Sequence, residues 1–302
     1  MRIASLIPSA TELLFAIGLG DRVVAVGHDC DHPPDATGLP QLTASVIPAG
    51  LPPAEVDAFV RGLVEQGEAL HTLDEELLLE EEPDVIFTQR ESGVGAVALE
   101  RVEQAAARLD PSPRIVTLDP ATFGEALGGI GTVAEAAGEP ELGAVLAGEL
   151  ADRVDAVQEA LGGIGDAAGP NRVVTATLEW IDPLLAGGLW IPQMIELAGG
   201  VDLLGMPGEA ARETDWSELA AIAPEVIVLA QCGYNAARSA EEAEDFAAEL
   251  GSTGARRILA ADSACFTRPG PRLVDGLELL AHALHPELVP EPAAGAMIEL
   301  AF

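Results

Sequence analysis

One long helical period with no strand beside it, set between two stretches of alternating strand and helix patterns, constrains this chain more than any other feature. From Pro140 to Leu161 the residues Leu142, Val145, Leu146, Leu150, Val154, Val157 and Leu161 recur at helical spacing. A helix of that length spans ~30 Å. Before it, the pattern predicts strands at 1–5, 23–27, 85–89 and 114–118 and helices at 9–17, 74–81, 96–109 and 123–137. After it come strands at 172–178, 226–230 and 257–261 and helices at 190–198, 216–222, 239–250 and 272–284. Short strands alternating with helices are the signature of βαβ units and a mostly parallel sheet. The expected fold is α/β, with lobes over 1–139 and 164–289, a connecting spine helix over 140–163 and a tail over 290–302. Residues 28–53, rich in Pro and Gly, read as irregular.

Local signals punctuate this plan. Ser9 and Glu12 have the spacing of a capping box, and Gly18 and Gly20 stop the helix it opens. Pro83 ends the acidic helix, and Gly162, Gly163 and Gly165 end the spine. Open α/β sheets take ligands at the carboxyl ends of their strands, so a two-lobed protein of this design is expected to hold its ligand between the lobes.

Charge excludes several functions. The chain has 50 Asp and Glu against 15 Lys and Arg, a net charge of −35, and every basic residue is Arg. Such a surface repels phosphate backbones and anionic lipid, so no nucleic-acid partner is expected. An acidic, Lys-free composition is expected of a protein adapted to concentrated salt, and a GC-rich genome also favours Arg and Ala over Lys. No apolar run reaches the ~18 residues of a membrane span, so no direct membrane insertion is expected. The first twenty residues show no secretory signal, which reads as cytoplasmic for the chain as written and extracytoplasmic if a leader was removed. Cys30, Cys232 and Cys265 are odd in number and widely spaced, which fits reduced thiols rather than a disulfide framework.

Several segments resemble a known family. Residues 3–20 (IASLIPSATELLFAIGLG) with the strand at 23–27, followed by Glu82-Pro83-Asp84-Val85-Ile86, resemble the opening of the metal-chelate substrate-binding proteins of ABC importers, which carry cobalamin, haem or siderophores. Ile195-Glu196-Leu197-Ala198-Gly199-Gly200, Trp216-Ser217-Glu218-Leu219 with Ala223-Pro224-Glu225-Val226-Ile227, and residues 268–284 (RPGPRLVDGLELLAHAL) resemble that family's second lobe. The resemblance runs in order along nearly the whole chain and is nearest to signal-less, BtuF-like cobalamin binders. It implies two Rossmann-like lobes on a helical backbone, periplasmic-binding-protein-like. It also implies a non-catalytic binding role, cobalamin or another corrinoid as ligand, no catalytic cofactor, and an ABC permease as a partner.

The residues at the strand exits supply candidate contacts. His28, Asp29 and Cys30 follow the strand at 23–27. If the segment is extended, His28, Cys30 and His32 share a face, so His28 and Cys30 are candidate ligands for a metal or for the metal of a chelate. Gln89 and Arg90 follow the strand at 85–89, and Arg90 suits a ligand carboxylate or phosphate as well as a surface ion pair. In the second lobe Glu179 and Trp180 end one strand and Trp190 precedes a helix. Cys232, Gly233 and Tyr234 follow another strand, and Phe266 and Arg268 lie at the exit of the last. Aromatic rings pack flat on conjugated ligands and also fill cores. Gly233 admits close backbone approach. Trp216, at a helix start, reads as a packing anchor. Three readings stay open: a chelate-binding protein for a corrinoid, a haem or siderophore carrier, and a thiol–imidazole metal protein or Cys-dependent enzyme built on Cys30, His28 and Cys232.

Overall fold

The computed structural model describes residues 1–90, 96–162, 172–292 and 297–302. The chain forms two compact units, one of Met1–Pro120 with Leu127–Gly148, the other of Ala121–Ala126 with Glu149–Phe302. Gly163 and Gly165, expected to end the long helix, lie outside the described residues, whereas Gly162 terminates it at φ +57°.

The first unit contains β1 (Ile3–Ser5), α1 (Pro8–Ala16), β2 (Val23–Val26), β3 (Thr43–Ser45), α2 (Pro53–Gln66), β4 (His71–Leu73), α3 (Glu75–Glu81), β5 (Val85–Thr88), α4 (Leu99–Ala106) and β6 (Arg114–Thr117). The chain crosses between units within α5 (Phe123–Ala136) and α6 (Pro140–Leu161). Four strands form an all-parallel sheet in the order β2-β1-β5-β6. Ile3 pairs with Val23 on one side and Val85 on the other. β1 and β5 are buried along their whole length, as continuous apolar runs in a parallel sheet must be. The segment expected to be irregular includes β3, which pairs antiparallel with β4. β3 and β4 are three residues each, too short to alternate legibly, whereas α2 carries Val56, Phe59, Val60, Leu63 and Val64 at helical spacing and was legible in principle.

The capping box also sits elsewhere. Pro8 occupies the first turn of α1 and Ile7 is its cap, with no side-chain hydrogen bond, so Ser9 and Glu12 are buried within the helix. Proline fits that first position because its missing N–H had no partner to lose. The working box is Thr122 with Glu125, ahead of α5. Glu125 Oε2 accepts from the N–H groups of Ala121 (2.8 Å) and Thr122 (3.1 Å), and Glu125 N–H donates to Thr122 Oγ1 (3.2 Å). The long helix has its expected limits, but its first turns present a different face. Leu142 and Val145 are exposed while Gly143 is buried, because a β-carbon there would collide with Ala134 of α5. Close approach of two helices takes a small residue in preference to the apolar stripe.

The second unit contains β7 (Val173–Ile181), β8 (Leu184–Ala186), α7 (Ile191–Leu197), β9 (Gly200–Val201), β10 (Arg212–Glu213), α8 (Trp216–Ala221), β11 (Val226–Leu229), α9 (Ala236–Glu244), α10 (Ala247–Ser252), β12 (Arg257–Ala261), α11 (Arg272–Leu284) and β13 (Met297–Leu300). Its sheet runs β10-β8-β7-β11-β12-β13, with β9 also paired to β7. β7, β11 and β12 are parallel to one another. β8, β10 and β13 run antiparallel to their neighbours. The strand expected at 172–178 continues to Ile181 and turns through Asp182-Pro183 into β8, so Glu179 and Trp180 lie inside a hairpin. The expected tail contributes β13, and the helix expected over 239–250 breaks into α9 and α10 around Phe246, whose ring stacks on Trp216 at 6.1 Å. Trp216 is thus the packing anchor expected of it.

Candidate functional site

In the first unit the strand exits carry His28, Asp29, Cys30, Gln89 and Arg90. The segment after β2 is a turn, not an extended strand: Cys30 N–H donates to the Gly27 carbonyl at 3.1 Å and Asp31 N–H to that of Asp29 at 3.0 Å. His28, Cys30 and His32 therefore do not share a face. Cys30 is buried, its sulfur 3.1 Å from the Thr11 hydroxyl and 3.7 Å from the Ser5 carbonyl, whereas His32 is exposed. Among the described residues no group of three His, Cys, Asp or Glu side chains is placed to hold a metal ion, and the Cys30 sulfur has Thr11 and Ser5 as its neighbours.

His28 has other partners. Its Nδ1 lies 2.7 Å from Thr43 Oγ1, its backbone N–H donates to the same oxygen at 2.9 Å, and its Nε2 is 3.3 Å from Asp29 Oδ2. Burial pushes its imidazole below the ordinary histidine value, Asp29 opposing and His71 reinforcing the shift. The His71 ring is 5.2 Å away and helps line a cavity of about 250 Å³ with Val64, Leu70 and Ala96. No sequence signal points to His71 as a neighbour of His28, because only the pairing of β3 with β4 brings Thr43 and His71 together there. Gln89 is half-buried and Arg90 exposed. Arg90 N–H donates to Asp119 Oδ1 at 2.5 Å and its guanidinium lies 3.9 Å from Oδ2, so the ion-pair reading of Arg90 is realised.

In the second unit the exits of β7, β11 and β12 converge. Cys232 N–H donates to the Glu179 carbonyl at 3.0 Å, and the Cys232 thiol donates to Glu179 Oε2 at 3.8 Å. Glu179 Oε1 accepts from Gly188 N–H at 2.7 Å. Loss of solvation raises the Glu179 carboxyl above the usual range. Cys232 is exposed as a residue, yet its sulfur lies against Glu179 and Thr267. Loss of solvation there, with the Glu179 charge second, pushes the thiol well above its ordinary value. The pair therefore favours a protonated thiol, a poor nucleophile.

The aromatic residues at this corner are buried rather than open. Trp180 and Tyr234 are 8% and 7% exposed, with ring centroids 5.4 Å apart. Trp180 Nε1–H donates to the Asp182 carbonyl at 2.9 Å. Trp190, 5% exposed, donates from its indole N–H to the Phe266 carbonyl at 2.6 Å, and the Phe266 ring has no exposed surface. Arg268 is half-buried in the same turn. A residue not anticipated, Arg238, lies 3.9 Å over the Tyr234 ring, donates to its hydroxyl at 3.1 Å and pairs with Glu242 at 3.4 Å. Gly233 is exposed at φ +78°, so the surface of this corner consists of Cys232 and Gly233 over a buried aromatic layer.

This architecture is matched by a family model described as "Periplasmic binding protein" over residues 3–254. The chain belongs to that family. The vitamin B12-binding protein of Vibrio cholerae serotype O1 is 24% identical over 277 residues, covering 92% of this chain and 86% of that protein. An uncharacterized ABC transporter substrate-binding lipoprotein, YvrC of Bacillus subtilis, is 22% identical over 296 residues, 96% of this chain and 82% of that one. The crystal structure of a periplasmic heme binding protein from Pseudomonas aeruginosa superposes with a TM-score of 0.73 at 17% identity, covering 100% of this chain and 98% of that chain. The periplasmic binding protein fold expected from the sequence is thus present, in a family of binding proteins rather than enzymes. Among the described residues, no helix is long and apolar enough to cross a membrane.

Proposed function

We propose that this chain is the substrate-binding component of an ABC importer, that its substrate is a metal chelate, and that the chelate is a corrinoid. The observation that carries the reading is the meeting of Glu179 with Cys232, beside the exposed Gly233, at the carboxyl ends of β7 and β11, where sheets of this class receive ligands. It occurs in a chain related over most of its length to a vitamin B12-binding protein. The arginine at this corner favours a corrinoid over haem. Arg238 is paired with Glu242, so it already has a carboxylate, and haem carboxylates would have to displace it. A neutral, carboxamide-bearing rim meets no such competition. Of the two locations the sequence left open, the relatives' names support the one outside the cytoplasm, with an ABC permease as partner.

Cyanocobalamin and haemin, each added to the purified protein, test this. Cyanocobalamin at a hundredfold excess over its Kd stabilises the folded state by about 2.7 kcal/mol, a rise in Tm of roughly 5–10 °C for a protein of this size, with a shifted corrin absorbance. A protein that melts unchanged with both ligands refutes the chelate reading; one that responds to haemin alone makes it a haem carrier.

A further inference from the structure

The carboxamide of Gln231 has no role in the fold described above. Gln231 has no exposed surface, and neither its Nε2 nor its Oε1 has a hydrogen-bond partner among the described residues. It lies two residues past the end of β11, whose Ile227 and Leu229 pack in the apolar cluster of Leu178, Leu219, Ala243 and Leu250. Its backbone is tied into the candidate site. The Gln231 carbonyl accepts from Tyr234 N–H at 2.9 Å, and the next residue, Cys232, donates to Glu179. Ser239 of α9 is also fully buried, with its hydroxyl unpartnered among the described residues. A buried polar group without a partner is destabilising, and leucine would fill the space without that cost. Packing alone does not call for glutamine here.

A carboxamide offers a donor edge and an acceptor edge together. Its complement is another carboxamide, which joins both edges at once. A carboxylate meets only the N–H edge and faces the Oε1 lone pairs. Corrin rings carry carboxamide arms, and the porphyrin of haem carries carboxylates. We propose that Gln231 is a specificity-determining residue whose carboxamide pairs with a carboxamide arm on the rim of the bound chelate, reached by a shift of the 231–234 turn. This inference rests on the chelate-binding reading and names the ligand group that the site selects.

The test measures Kd for cyanocobalamin and haemin, together with unliganded Tm, for the wild type, Gln231→Leu, Gln231→Met and Ser239→Ala. The expected result is a roughly tenfold loss of cyanocobalamin affinity in both Gln231 variants. Haemin affinity stays unchanged, Ser239→Ala binds as the wild type does, and Tm does not fall in the Gln231 variants. Unchanged cyanocobalamin affinity in both Gln231 variants overturns the proposal. So does an equal loss of Tm in the Gln231 and Ser239 variants with binding intact, which makes the two side chains a structural pair. A wild type that binds haemin alone refutes the carboxamide assignment and leaves the chelate reading standing. A wild type that binds neither removes both.

Discussion

Cys232 is the exposed cysteine of this chain, since Cys30 and Cys265 are buried. Loss of solvation at its sulfur, with the negative charge of neighbouring Glu179 second, holds it in the protonated form. The sign follows from the chemistry: a raised thiol pKa means that the reactive thiolate gains only as pH rises toward it. Cys232 should therefore react with iodoacetamide several-fold more slowly at pH 8 than a free thiol. Glu179→Gln should speed it several-fold by removing the like charge, with the rate measured by mass-resolved labelling. A Glu179→Gln protein that labels no faster means that the carboxylate does not act on the sulfur. At this scale the sequence placed Cys232 and Tyr234 just past a strand end, where the structure has them, whereas Glu179 lies within the longer β7. The sequence could not say that the rings turn inward, because a strand-end aromatic reads the same whether it faces a ligand or a core.

Among the helices, α5 shows how a short signal competes with its context. Both Ser9-x-x-Glu12 and Thr122-x-x-Glu125 have capping-box spacing, yet only the second is used, because Pro8 starts α1 one residue before Ser9. Thr122→Ala should cost about 1 kcal/mol, a drop in Tm of roughly 2–4 °C in a protein of this size. Hydrogen bonds from Ala121 and Thr122 hold the Glu125 carboxyl below its usual range. Its folded value is depressed, so its contribution is complete above the unfolded value and fades as pH falls through the folded one. A Glu125→Ala deficit should shrink correspondingly in acid, whereas the Thr122→Ala deficit should not, since the bond from Glu125 N–H to Thr122 Oγ1 does not titrate. A Glu125→Ala deficit that persists unchanged at low pH means that the carboxylate's hydrogen bonds do not contribute. The acidic helix α3 was legible because Asp74 caps it directly, accepting from Leu77 N–H at 2.9 Å. β3, β4 and β8 were not, since three-residue strands carry too few alternations to separate from loop.

For the whole molecule, charge dominates. With a net charge of −35, self-repulsion opposes compaction. Ion pairs such as Arg153 with Asp275 and Glu278 at 2.6 and 2.7 Å, or Arg22 with Glu139 at 2.6 Å, engage the few cations. Screening shortens with ionic strength from ~10 Å at 0.1 M to ~3 Å at 1 M. Tm should accordingly rise, on the order of 5 °C, between 0.1 and 2 M NaCl, as followed by differential scanning fluorimetry. A flat or falling Tm means that the acidic surface is neutral to stability.

The alternation of β1, β2, β5, β6, β7, β11 and β12 with helices, the limits of α6, β12 and α11, and the family resemblance were readable in the chain, because periodicity and helix punctuation are local properties. The face that α6 presents at Gly143, the pairing of β13 with β12, the turn that separates Cys30 from His28, and the meeting of His28 with His71 were decided only in three dimensions. Each depends on what another segment, remote in sequence, brings against it, and the hydrophobicity of a residue does not encode the identity of its distant neighbour.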